Sequence, residues 1–146
     1  GGHLPSEDEW NKAAGLYEPN KGKGPFNDKV PFKEDDRTQF GLNRSPDEGP
    51  MMCGTATLDI SEPFKLHDMA ANGREWTRRV ADFGNKEVGK PGLTALDRVL
   101  LRGRDYRRED PLTYEEMQDE RKRETQGPFE THLATGFRVV IEKLGG

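Results

Sequence analysis

Residues 61–84 read SEPFKLHDMAANGREWTRRVADFG. Ser61 is a capping residue, Pro63 suits a first helical turn, and Leu66, Met69, Ala70, Gly73, Trp76, Val80 and Phe83 recur at spacings of three and four until Gly84. That period predicts an amphipathic helix with Gly84 as its stop. Its apolar stripe must face something apolar, and on this reading the rest of the chain is built around it.

Downstream, Thr94 and Asp97 open a second predicted helix, with Leu96, Leu100, Gly103 and Tyr106 in line and Val99 and Leu101 widening the apolar sector. A third starts near Thr113, with Glu116 in the capping-box position. From Gln118 to Gln126 it is almost wholly polar, so it is expected on the surface. Strand period appears twice, in Thr55 to Ile60 and in Phe137, Val139 and Ile141. Residues 51–146 are therefore expected to form a small α+β module, mainly helical and low in strand content.

Upstream of Pro50 the composition changes. Gly and Pro supply 13 of the first 50 residues and 14 of the remaining 96, so residues 1–50 read as an extended, irregular arm. It holds one short helix, from Glu7 to about Leu16, announced by the capping box of Ser6 and Glu9. Ordering fifty backbones costs on the order of 50–100 kcal/mol. Nine large apolar side chains in the arm return about 3 kcal/mol each on full burial. The shortfall predicts that the arm is shaped by neighbouring protein subunits.

The bulk composition points the same way. Leu, Ile, Val and Phe make up only 27 of the 146 residues, 34% are charged, and mean hydropathy is −1.00. That apolar share is below the level at which a chain usually supports its own core, so order is expected to come from a partner surface. A net charge of −4 supplies no general basic field for nucleic acid. A single cysteine, Cys53, leaves no internal disulfide and no Cys pair for zinc or dithiol redox chemistry. The start at Gly1-Gly2 in place of Met suggests a processed organellar protein or a cloning remnant.

Four phenylalanines follow a proline: Phe26, Phe32, Phe64 and Phe129. Proline restricts the backbone at and before itself, which lowers the entropy cost of docking an adjacent aromatic. With Trp10 and Phe40, Phe26 and Phe32 are the predicted anchors for partner subunits, whereas Phe64 and Phe129 are expected in the chain's own core. Arg102, Arg104, Arg107 and Arg108 form a basic stretch interleaved with carboxylates. These arginines are expected at an interface; contact of the whole basic region 74–108, which also holds Arg74, Arg78 and Arg79, with RNA phosphates is the alternative.

No nucleophile elbow, catalytic triad order, phosphate loop or metal-ligand spacing is present. His67 and Cys53 are the residues a cofactor or pigment carrier would use, and this is a second alternative. The leading expectation is a non-catalytic accessory subunit of a large multi-protein complex, with no cofactor and no membrane span.

Overall fold

The computed structural model describes residues 1–19, 33–81 and 85–143. Two sheets carry the fold. The larger is four-stranded in the order β4-β3-β2-β5, with β2 at Gly73–Val80, β3 at Val99–Arg104, β4 at Glu124–Gln126 and β5 at Thr135–Phe137. β3 pairs antiparallel with β2 and β4, whereas β5 runs parallel to β2. The smaller sheet joins β1, Gly2–His3, to β6, Val140–Ile141. The helices are short: α1 at Glu7–Ala13, α2 at Arg37–Phe40 and α3 at Tyr114–Gln118. The expectation of a mainly helical module is therefore wrong, since the described residues are organised by strands.

The helix read over residues 61–83 fails for a backbone reason. Lys65, Asp68 and Asn72 adopt φ of 56°, 60° and 64°, and Gly73 lies at 148°. Left-handed residues at that density cannot belong to a right-handed helix. Met69, Ala70 and Ala71 are buried as a continuous run instead of one stripe, and β2 begins immediately after. Within β2 the Trp76–Val80 segment bulges against Leu101–Val99, and the Thr77 hydroxyl donates to the Leu100 carbonyl at 2.8 Å. Phe83 and Gly84 lie outside the described residues.

The second predicted helix is also a strand. Thr94 and Asp97 do bond locally, the Thr94 N–H donating to Asp97 Oδ2 at 2.6 Å, but the chain then enters β3, buried along its whole length at the centre of the sheet. Val99 to Leu101 is a continuous apolar run, as suits a strand covered on both faces. The third helix starts at its capping box and ends at Gln118. After a 3-10 turn at Glu120–Lys122, the polar stretch joins the sheet as β4.

Residues on both sides of Pro50 share one core. Ser6 Oγ accepts from the Glu9 N–H, and Glu9 Oε2 accepts from the Ser6 N–H, so α1 begins with its capping box intact. Trp10, Ala14 and Leu16 then pack with Met69, Ala70, Leu112, Tyr114 and Met117. The Tyr114 hydroxyl donates to the Ala14 carbonyl at 2.7 Å, and Ser61 donates to Ala13 at 2.9 Å. A second cluster joins Phe40 and Leu42 to Ala71 and Leu58.

Candidate functional site

A cleft of about 440 Å³ opens between three stretches: residues 50–54, residues 67–75 leading into β2, and residues 133–138 around β5. Each wall is held by a side chain that bonds to backbone. Asn72 accepts from the Met51 N–H at 2.6 Å and donates to the Met51 carbonyl at 3.1 Å, which fixes the 50–54 loop. Asp68 Oδ2 accepts from the Gly54 N–H at 2.7 Å. The third wall is fixed by Arg138, whose Nε and Nη2 donate to both carboxylate oxygens of Glu75 at 2.7 and 2.6 Å. Arg138 Nη2 also donates to the His67 and Asp68 carbonyls at 3.1 and 3.3 Å.

This arginine explains another departure from the predicted strands. Phe137, Val139 and Ile141 alternate in sequence, yet Arg138 divides them, leaving Phe137 in β5 and Ile141 in β6 on different sheets. Burial works against the Arg138 charge, but the Glu75 hydrogen bonds and carboxylates outweigh it and hold the guanidinium above its ordinary pKa.

Beneath the cleft floor lies Asp59, fully buried. Its carboxylate accepts from the Ala70 and Ala71 N–H groups at 2.9–3.0 Å, shaping the segment that carries His67 and Asp68. Burial pushes its pKa up to about 7, the negative charge of Asp68 adds to that, and the two N–H groups and Arg138 pull the other way. Three buried polar atoms of cleft-lining residues have no partner among the described residues: His67 Nδ1, Asp68 Oδ1 and Arg74 Nε. Cys53 is exposed, and Leu133 and Phe137 expose large apolar surfaces at the rim.

The predicted anchors and the basic stretch 102–108 lie elsewhere. Trp10 is fully buried in the chain's own core, with its indole N–H donating to Glu75 Oε2 at 2.7 Å, and Phe40 is 4% exposed. Phe26 and Phe32 lie outside the described residues. Phe64 and Phe129, expected in the core, are exposed at 44% and 70%.

Arg102 and Arg104 point from one face of β3 into the interior. Arg102 donates to Glu7 at 2.5 Å and to the Met117 carbonyl at 3.3 Å; Arg104 donates to Glu116 at 2.5 Å and to the Pro111 carbonyl at 3.2 Å. Arg107 pairs with Asp105 at 2.5 Å, and Arg108 is exposed. Of the sequence candidates, His67, Cys53 and Arg74 of the basic region line the cleft. Asp68, Asn72, Glu75 and Arg138 were missed, and the signal available for the first two was their type: Asp and Asn tolerate left-handed turns that most residues avoid.

The sequence from residue 1 to 143 matches the family profile of the sulfatase-modifying factor enzyme 1-like domain. The chain belongs to the FGE-sulfatase family. No curated protein and no solved structure gives a significant match. The FGE-sulfatase family is enzymatic, typified by the formylglycine-generating enzyme. Membership overturns the expectation of a non-catalytic accessory subunit, and with it the scaffold, RNA-contacting and carrier readings. Among the described residues no group of three or more His, Cys, Asp and Glu is arranged to hold a metal ion, and no helix is long and apolar enough to cross a membrane.

Proposed function

We propose that this FGE-sulfatase chain is an enzyme domain that acts on a polypeptide and engages it in the cleft bounded by residues 50–54, 67–75 and 133–138. The observation that carries the reading is the cleft itself, about 440 Å³ in volume, within the range typical of ligand sites. The family's sulfatase-modifying description supplies the substrate class. Leu133 and Phe137 offer apolar surface at the rim, the Arg138–Glu75 and Asn72–Met51 contacts hold the walls before any ligand arrives, and such preorganisation lowers the entropy cost of binding. Cys53 places the chain's single thiol on the wall.

That thiol makes the test direct. A photo-crosslinker attached to Cys53 in the full chain is expected to capture a cysteine-containing sulfatase peptide, with adducts mapping to residues 67–75 and 133–138. Bulky alkylation of Cys53 should weaken peptide binding, measured by fluorescence anisotropy. Adducts confined to other surfaces, together with binding indifferent to alkylation, would remove the reading. Turnover is monitored separately, by trapping any aldehyde formed on the peptide with an aminooxy reagent.

A further inference from the structure

One histidine beside the cleft is faced by more donors than it can serve. His132 immediately precedes Leu133 and Ala134 of the third wall. Its Nδ1 receives the Ala134 N–H at 3.1 Å and Arg74 Nη2 at 2.9 Å, while Arg107 Nη2 lies 3.4 Å from Nε2. Guanidinium and backbone N–H groups only donate, and a neutral imidazole has a single acceptor nitrogen. Nδ1, with the two shorter contacts, is that nitrogen, so Nε2 carries the ring proton. Nε2–H and Arg107 Nη2–H are thus two donors side by side, and no acceptor among the described residues bonds Nε2. Both reach solvent, since His132 is exposed and the Arg107 side chain is 38% accessible.

We propose that His132 Nε2–H and Arg107 Nη2–H form a subsite for a carboxylate, one of whose oxygens accepts from both. An ionised acceptor makes such bonds shorter and about twice as strong as a neutral one. Arg74, donating into Nδ1, polarises the ring and strengthens Nε2–H as a donor. The surplus here is in donors and not in charge: Asp105 takes Nε and one Nη2 hydrogen of Arg107, and Glu124 takes Arg74 Nη1 at 3.2 Å. A singly charged group suits that balance, whereas a phosphate dianion would meet Asp105 and Glu124 with greater repulsion. The carboxylate belongs to the polypeptide in the cleft or to a free organic acid. The inference deepens the polypeptide reading and rests on it only in the first case.

Acetate and its neutral isostere acetamide, titrated into the full chain at fixed ionic strength and followed by the NMR signals of the His132 ring and Arg107 Nε, test the charge requirement on the unsubstituted protein. Acetate is expected to give saturable shifts at both residues and to bind about 10-fold more tightly than acetamide. A matched pair of peptides, one with glutamate and one with glutamine at the same position, reads the same preference for a polypeptide by anisotropy. In His132→Asn the side-chain oxygen takes the place of Nδ1 as acceptor for Ala134, while nothing replaces Nε2–H. Its melting temperature is expected to stay close to the parent, and the preference for the charged ligand to disappear.

Acetate and acetamide bound alike, with the two peptides also bound alike, overturns the proposal and leaves the polypeptide reading standing. A preference that survives in His132→Asn overturns it too, as does phosphate bound where acetate is not. Preference for the glutamate peptide, lost in His132→Asn, assigns the carboxylate to the polypeptide. Acetate preferred while the peptides bind alike identifies a free organic acid as the source, and acetate preferred with no peptide bound does the same and removes the polypeptide reading. Failure of every ligand to bind removes both.

Discussion

Asp59 lies under the cleft as a fully buried carboxyl with its pKa raised from 3.8 to about 7. A carboxyl whose folded-state pKa exceeds its unfolded value holds its proton more tightly in the folded chain. Its contribution to stability is complete below pH 3.8 and is lost as pH climbs towards 7. Carboxyls held low, such as Asp97 by the Lys86 ammonium, act in the opposite sense and weaken the fold only as pH drops through the acidic range. The two effects therefore separate. The stability of the parent chain is expected to fall between about pH 5 and pH 7 by on the order of a few kcal/mol, and its melting temperature with it. Asp59→Asn is expected to flatten that slope, and thermal melts at stepped pH check it. A parent melting temperature that rises over the same interval contradicts this account.

At the scale of elements, β3 shows how close the sheet is packed. Gly103 has φ of 79°, and a Cβ there would meet the Gly73 carbonyl oxygen of β2 at 2.6 Å. Gly103→Ala is thus expected to destabilise the chain by about 1–3 kcal/mol, through the strained dihedral and the displaced strand; urea denaturation measures it. Local chemistry made parts of these elements legible from sequence. The capping boxes at Ser6 and Thr113 mark the true starts of α1 and α3. Strand β2 was not legible, because Leu66, Met69, Gly73, Trp76 and Val80 match helical spacing while serving a buried loop and then a bulged strand. The cues against a helix were Asp68, Asn72 and Gly73, three residues that accept left-handed conformations, succeeded by the β-favouring Trp76, Thr77 and Val80. The cleft inherits the same blindness: Asp68 and Asn72 belong to it because they turn the chain.

For the whole molecule, the low apolar content misled because the interior is partly polar. Glu7 sits buried among three arginines, accepting from Arg102 at 2.5 Å, Arg123 at 2.9 Å and also Arg79. Side chains that composition assigns to the surface thus fill space under α1, next to the Trp10 cluster. Apolar counts say nothing about which charges will find partners, and pairing across 95 residues, as between Glu7 and Arg102, leaves no local trace in sequence. Trp10 joins these layers, and Trp10→Ala is expected to cost about 3–5 kcal/mol. Because its indole also bonds Glu75, the same variant should weaken ligand binding in the cleft. Chemical denaturation monitored by far-UV circular dichroism, alongside peptide anisotropy, reads both effects. A change confined to stability would detach Trp10 from the site.

The pairing of β1 with β6 and the grip of Arg138 on Glu75 have a consequence in time. A ribosome makes residues 138–141 more than a hundred steps after residues 2–3. Until that late segment emerges, one bank of the pocket is missing and the Glu75 carboxylate lacks its arginine. The nascent polypeptide consequently cannot display a finished binding surface while translation of this region is under way, and competence arrives with its closing strands.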